Sequence, residues 1–131
     1  MKVRIELLVI LVISFTCLTT AQTKQIKISP SEAKDNIGKE VTVIGVVDQV
    51  NQSRSGTIYL NMGGKFPDAE FTVVIFKSNA SKFKNISIVE GKKIEITGKI
   101  KEYKGSPEII LSDPHLLKVY LEKKKENDDE N

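Results

Sequence analysis

The stretch that decides the fold covers residues 40–50 and reads Glu40-Val41-Thr42-Val43-Ile44-Gly45-Val46-Val47-Asp48-Gln49-Val50. Its length and its density of β-branched residues are typical of a β-strand. Gly45 stands near the middle, with apolar side chains on both sides. A glycine inside a strong strand marks a bulge, a sharp bend or a close backbone approach. A long strand bent at its centre can belong to two sheets at once, so this stretch predicts a small barrel.

Four further β-strands are predicted downstream. In residues 57–62 apolar and polar side chains alternate, so that Tyr59 and Asn61 share the face opposite the apolar side chains. The other strands are expected at 70–77, at 92–103 with a second internal glycine at Gly98, and at 108–111. A polar loop at 51–56, a connection at 63–68, a loop or helical turn at 78–87 and a hairpin turn at 104–107 join them.

A short helix is predicted ahead of the long strand. Ser29 is a capping residue, Pro30 suits the first turn, and Glu32 completes a capping box. Gly38 is the expected end of the helix. Ala33 and Ile37 are four residues apart, so they should pack one face of the helix on the barrel. Short extended segments are also expected at 26–28 and 116–121.

The N-terminal residues predict export. Lys2 and Arg4 precede an apolar run at 7–15, which is far shorter than the ~20 residues of a membrane-spanning helix. Small residues end this segment at Ala21, so residues 1–21 are interpreted as a cleaved secretory signal peptide. Two alternatives stay open, a buried N-terminal helix and a lipoprotein with its lipid on Cys17. The chain is therefore expected to be periplasmic or secreted, in a bacterial host.

Cleavage would leave one domain at 22–121, followed by a charged, disordered tail at 122–131. Cys17 is the only cysteine, so the mature chain would have neither a disulfide nor a thiol nucleophile. Removing Lys2, Arg4 and Glu6 from the 20 basic and 17 acidic residues leaves 18 and 16. A net charge of +2 lacks the strongly basic character of a typical high-affinity nucleic-acid binder.

Catalytic signatures are missing from the sequence. His115 is the only histidine and has no partner at metal-ligand spacing. No nucleophile elbow, phosphate-binding loop or pair of catalytic carboxylates is present. We therefore expect a protein that is not an enzyme and that carries neither a metal nor a cofactor.

The predicted elements describe a mainly β fold, a five-stranded Greek-key OB-fold barrel with a short N-terminal helix and a helix or loop between strands three and four. Residues 37–120 also resemble the tRNA-anticodon-type OB-fold domains. Among these, the sequence is most similar in character to the stand-alone secreted OB-fold proteins of bacteria. The segments that carry the resemblance are mostly glycines and core residues, at 38–39, 41–43, 45–47, 56–63, 91–92, 96–100 and 103.

The resemblance implies binding of single-stranded nucleic acid on the face of the second and third predicted strands. Tyr59 would stack on a base, with Asn61 beside it and Thr72 on the next strand. The two flanking loops would add Arg54 from the first and Lys101, Tyr103 and Lys104 from the other. Gly63 and Gly64 replace an Arg and an Asp of the anticodon domains, so specificity for tRNA is not implied.

Alternative interpretations of these residues remain open. Tyr59 fits an ordinary half-buried strand position, and lysines in a hairpin keep an edge soluble. The function is accordingly one of two kinds, an exported module for single-stranded DNA or RNA, or an envelope module for a protein segment or an oligosaccharide. Binding to phosphates should weaken steeply with salt, whereas binding to a glycan or an apolar peptide should not.

The export hypothesis predicts a mature chain that starts at Gln22, because Ala21 ends the signal-like segment. Intact mass or N-terminal sequencing of protein from the native host would measure this. Full-length protein in the cytoplasm, or a chain that starts at a lipidated Cys17, would contradict it.

Overall fold

The structure is a computed structural model that describes residues 22–122, so the predicted signal peptide and residues 123–131 of the predicted tail lie outside the described range. The strands are β1 (Lys27–Ile28), β2 (Glu40–Gln52), β3 (Ile58–Met62), β4 (Phe71–Ile75), β5 (Lys93–Lys99), β6 (Lys101–Tyr103), β7 (Ser106–Ile110) and β8 (Leu117–Val119). The helical elements are the α-helix α1 (Lys77–Ala80) and three 3₁₀ helices at Pro30–Asn36, Ile86–Val89 and Pro114–Leu116. The predicted helix or loop between the third and fourth strands is therefore confirmed.

The strands form one eight-stranded sheet. Its hydrogen-bonded order is β6-β7-β4-β3-β2-β5-β8, and β1 pairs with β2 outside this path. The β4–β7 and β1–β2 pairs are parallel, and the other neighbours are antiparallel. The five predicted strands correspond to β2, β3, β4, the β5–β6 pair and β7, while β1 and β8 extend the half of the sheet that contains β5.

β2 belongs to both halves of the sheet, as the central glycine suggested. Its first seven residues pair with β5, from Glu40 opposite Lys99 to Val46 opposite Lys93. From Val47 onward it pairs with β3 instead. The register shifts by one residue between Val47 and Gln49, which makes Asp48 a bulge. The strand thus changes partner just beyond Gly45.

The predicted closure of the barrel needs a correction. The hydrogen-bonded path ends at β6 on one side and at β8 on the other, so the strands do not close into a barrel. Residues 92–103 were expected to form one strand, but the structure divides them into β5 and β6 at Ile100. The backbone of Ile100 bonds to Gly38 and Lys39, at 2.8 and 3.0 Å, next to the end of the β2–β5 pairing, whereas β6 pairs with β7.

The core lies between the two halves of the sheet. The strand alternation predicted its contributors correctly, because Leu60, Met62 and Phe71 are fully buried. The inner positions of β2, β5 and β7 complete it with branched aliphatic side chains, namely Val41, Val43, Val47, Ile94, Ile96 and Ile109. Burial of such side chains is the principal stabilising contribution to a domain of this size.

The N-terminal helix is a 3₁₀ helix that packs on one side of this core. Its start is as predicted, because the Glu32 carboxylate accepts a hydrogen bond of 2.7 Å from the Ser29 backbone N–H. Ala33 is fully buried, but Ile37 is 37% exposed and lies beyond the helix. The predicted pairing of Ala33 and Ile37 on one buried face is therefore wrong, because the helix ends at Asn36. Within the described range, no helix is long and apolar enough to span a bilayer.

Both strand glycines lie where another group approaches the backbone closely. A Cβ on Gly45 would lie 2.7 Å from Pro30 Cγ and 2.9 Å from Met62 Cε. A Cβ on Gly98 would lie 2.8 Å from Cγ2 of Ile109. These distances are shorter than a Cβ tolerates, so each glycine makes room for a neighbouring side chain. Close packing, rather than unusual backbone dihedrals, explains the two glycines.

Gly98→Ala should lower the free energy of unfolding by about 1–3 kcal/mol, because the new methyl group collides with Ile109. In the Ile109→Ala background the colliding Cγ2 is gone, so the same substitution should cost at least ~0.5 kcal/mol less. Urea denaturation of the four proteins measures this coupling. Gly45→Ala is the matched control and should show no coupling to Ile109→Ala. Strictly additive effects of Gly98→Ala and Ile109→Ala would contradict the packing explanation.

Candidate functional site

The outward face of β3 and its neighbours carries two rows of side chains, because directly paired residues project from the same face of a sheet. In the first row Asn61 of β3 lies opposite Thr72 of β4, and Thr72 lies opposite Glu108 of β7. Lys101 of β6 follows opposite Glu108. In the second row Tyr59 lies between Asn51 of β2, which is exposed, and Val74 of β4, which is only 4% exposed.

A groove of about 520 Å³ crosses this face. Two segments border it, the connection between β3 and β4 and the hairpin between β6 and β7. The sheet supplies its floor through Asn51, Tyr59, Asn61, Thr72 and Glu108, and the bordering segments contribute Phe66, Pro67, Ala69, Tyr103, Lys104, Ser106 and Pro107. The groove is therefore mixed in character, with aromatic, amide, hydroxyl and charged groups.

A hydrogen-bonded network fixes the floor of the groove. Asn61 is only 3% exposed. Its Nδ2 donates to Oε1 of Gln49 at 3.1 Å, and its Oδ1 accepts from the Thr72 hydroxyl at 3.0 Å. The same Gln49 oxygen accepts the backbone N–H of Phe66 at 3.1 Å. This network satisfies a buried amide and ties the Phe66 segment to the sheet.

Aromatic side chains stand at the floor and at both borders. Tyr59 is half-buried on the floor, whereas Phe66 is 72% and Tyr103 59% exposed. Exposed aromatic rings at a groove can stack against planar groups such as nucleobases. Lys104 places its Nζ 5.4 Å from the centroid of the Tyr103 ring, within range of a cation–π interaction. An aromatic surface and a cation therefore lie side by side.

The hairpin that carries Tyr103 and Lys104 has a defined shape. Lys104 and Gly105 both have positive φ, at 49° and 79°. Positive φ at both central residues is what a type I′ turn requires, and this turn matches the twist of a two-residue hairpin. Glycine provides the second position without strain, while Lys104 adopts a conformation that non-glycine residues rarely take.

Glu108 places a carboxylate in the groove between these elements. Partial burial raises the pKa of the Glu108 carboxyl above its usual value, and the nearby Lys101 ammonium lowers it in part. The ionised form is therefore disfavoured by its surroundings. Because Lys101 is its neighbour on β6, the two charges partly cancel at this border of the groove.

The structure brings five of the predicted site residues to one groove, namely Tyr59, Asn61, Thr72, Tyr103 and Lys104. Lys101 lies beside it, in register with Glu108. Arg54 lies in the turn between β2 and β3 and is not one of the residues that line the groove. The network also fixes the side chains of Asn61 and Thr72 in place, because they bond to each other.

Sequence reasoning missed two groups in this groove. Phe66 was assigned only to a connection, although an aromatic residue in an otherwise polar turn is a usable signal. Glu108 shares its face of β7 with Ser106, and the alternation with buried Ile109 would have placed it outward. What the pattern could not show is that the connection folds against the same face as the hairpin.

A second polar cluster lies on β5 and β8, away from the groove. The Tyr120 hydroxyl donates a hydrogen bond to the Glu95 carboxylate, which lowers the pKa of Glu95 and raises that of Tyr120. Lys93 and Lys118 place their ammonium groups 5.2 and 5.1 Å from the centroid of the Tyr120 ring. These contacts join the outward faces of the two strands.

Within residues 22–122, no group of three or more His, Cys, Asp or Glu side chains is arranged so that it could hold a metal ion. The described histidine, His115, pairs instead with Asp113, at 2.9 Å between Nδ1 and Oδ1. The backbone N–H of His115 also donates to that carboxylate, and these bonds lower the pKa of Asp113. The pair caps the last 3₁₀ helix.

The family is decided by a match over residues 19–112 to the model described as OB-fold nucleic acid binding domain. The chain belongs to this family. The predicted OB-fold and its resemblance to anticodon-type domains are thereby confirmed. No curated protein sequence matches the chain significantly.

Solved structures share the fold of the chain. An asparaginyl-tRNA synthetase from Entamoeba histolytica has 22% sequence identity and a TM-score of 0.52, over 78% of this chain and 24% of that one. A protein described as an aspartyl-tRNA synthetase from Leishmania major Friedlin has 9% identity and a TM-score of 0.51, over 77% and 22%. The chain spans about a quarter of the length of these proteins, and at such identities the likeness concerns the fold alone.

Glu108→Gln should raise the free energy of unfolding at pH 7, because it removes a carboxylate that burial disfavours. The folded-state pKa lies above the unfolded-state one, so this cost is present at neutral pH and disappears as the pH falls below about 4.5. Urea denaturation of both proteins at pH 7 and pH 4 should show a difference that shrinks on acidification. Glu102→Gln, at an exposed position on β6, is the control. A difference that grows on acidification would contradict the burial effect.

Proposed function

We propose that this OB-fold nucleic-acid-binding domain works as an exported module that binds single-stranded DNA or RNA along the groove. The observation that carries the proposal is the convergence of Tyr59, Phe66 and Tyr103 with Lys104 in one groove. Bases would stack on the aromatic rings, and the ammonium groups would meet phosphates. Export rests on the signal-like segment at residues 1–21.

The geometry supports a path for the strand. The two loops that flank the binding face of an OB-fold usually take part in recognition. Here these loops are the β2–β3 turn, which carries Arg54, and the β6–β7 hairpin, which carries Tyr103 and Lys104. A strand laid from the hairpin across Tyr59 would therefore reach Arg54 beyond the groove, with Lys101 near its other end.

The charge of the site supports modest affinity. Lys104 and Lys101 are opposed by the Glu108 carboxylate, so few positive charges remain for phosphates. Binding should depend mainly on stacking, which contributes ~1–3 kcal/mol per base, so affinity should still fall with salt but by a smaller power than for a strongly basic site. Micromolar or weaker dissociation constants are expected for short oligonucleotides.

Tyr59→Ala should weaken binding of a single-stranded 12-mer by ~1–3 kcal/mol, because a stacking surface is lost. Tyr59→Phe keeps the ring and is the matched control, so its affinity should be close to that of the wild type. Fluorescence anisotropy at low salt measures both, and thermal melting by circular dichroism checks that the fold is intact. Equal affinities for the Ala and Phe variants would contradict stacking at Tyr59.

Removing a phosphate-binding cation should reduce the slope of log affinity against log salt by about one unit. Lys104→Asn tests this at the hairpin, since asparagine tolerates positive φ and preserves the turn. Arg54→Ala tests it at the other loop, and both slopes should flatten. An absence of binding to DNA and RNA at low salt would instead favour the envelope module for a protein segment or an oligosaccharide.

A further inference from the structure

Among the described residues, the Glu108 carboxylate makes no contact that would explain its position by a contribution to the stability of the fold. Within residues 22–122 it takes part in none of the side-chain hydrogen bonds and in no ion pair shorter than 4 Å. Its backbone position forces it outward, because its neighbour Ile109 is buried on the core side of β7. Partial burial of a carboxylate without a protein partner costs stability, so its presence calls for another explanation.

Contact with phosphates cannot supply that explanation. A negative charge in the groove repels the backbone of a nucleic acid and lowers its affinity. The group is also an acceptor only, since an ionised carboxylate has no hydrogen to donate. What complements it is a hydrogen-bond donor on the uncharged part of the ligand, namely the edge of a base.

Two other polar side chains of the floor, Asn61 and Thr72, are already engaged with each other. Asn61 donates to Gln49 and accepts from Thr72, whose hydroxyl hydrogen is thereby used. Glu108 follows Thr72 in the same cross-strand row, and both line the groove with Tyr59. A base stacked on Tyr59 would therefore present its edge toward a row in which the unengaged side chain inside the groove, that of Glu108, is an acceptor.

We infer that Glu108 is a specificity-determining residue, which makes the groove prefer bases that carry an exocyclic amino group over uracil and thymine. The inference rests on the proposed function of the groove. Cytosine presents its N4 amino group to an acceptor, and Glu or Asp is the usual partner of that group. Uracil presents a carbonyl oxygen at the same position, so that two acceptors would face each other.

The test compares the oligonucleotides dC12 and dU12, which share sugar, length and charge and differ in the 4-substituent of the pyrimidine and in the hydrogen that uracil carries on N3. Binding is measured by fluorescence anisotropy at low salt and at pH 8, because cytosine is neutral and Glu108 is ionised at this pH. Wild-type protein should bind dC12 about tenfold more tightly than dU12, at the low end of the discrimination that base-edge hydrogen bonds provide.

Glu108→Gln should bring the two affinities to within about twofold, because a glutamine amide can both donate and accept. Affinity for dU12 should stay equal or rise, since a charge that repels phosphates is gone. Glu102→Gln removes the same charge from a residue outside the groove and should preserve the tenfold preference. Thermal melting checks that each variant is folded.

Each outcome has a distinct meaning. Equal binding of dC12 and dU12 by the wild-type protein overturns the inference while leaving the proposed function standing, and it needs no variant. A preference that survives in Glu108→Gln overturns the role of Glu108. A lack of binding to either oligonucleotide, or to dA12, at low salt overturns both the inference and the proposed function.

Discussion

The fold depends on one strand that pairs in two directions. The first half of β2 pairs with β5 and its second half pairs with β3, with a bulge at Asp48 where the partner changes. This exchange requires a chain that is bent but unbroken, and it brings Pro30 and Met62 against Gly45 at distances that leave no room for a side chain. The two halves of the sheet, the core between them and the outward face of β3 all follow from this arrangement.

Sequence reasoning worked best where a strict local pattern coincided with burial. The alternation around Tyr59 placed Leu60 and Met62 in the core, and a glycine near the middle of β2 indicated the change of partner. It worked less well where a boundary depends on tertiary contacts. The expected fourth strand divides at Ile100 because β5 pairs with β2 whereas β6 pairs with β7, and no local pattern reveals this change of partner.

The candidate site shows the same division. Tyr103 and Lys104 could be placed from the sequence, because a turn was predicted at 104–107, although β7 already begins at Ser106. The burial of Asn61 could not, since an asparagine on an outer strand position is ordinarily exposed. Its environment is created by Gln49 and by a connection whose path depends on hydrogen bonds to the sheet. Long-range polar contacts of this kind carry no periodic signature.

The Gln49 carbonyl oxygen, shared by the Asn61 amide and the Phe66 backbone, bears on how a ligand would be received. A border segment already fastened to the sheet gives up its conformational freedom when the chain folds, not when a ligand arrives. Association then carries a smaller entropic cost than it would with a loose segment. A preorganised border segment should therefore lengthen the residence time of the ligand relative to a flexible segment. Affinity among related complexes varies mostly through the dissociation rate.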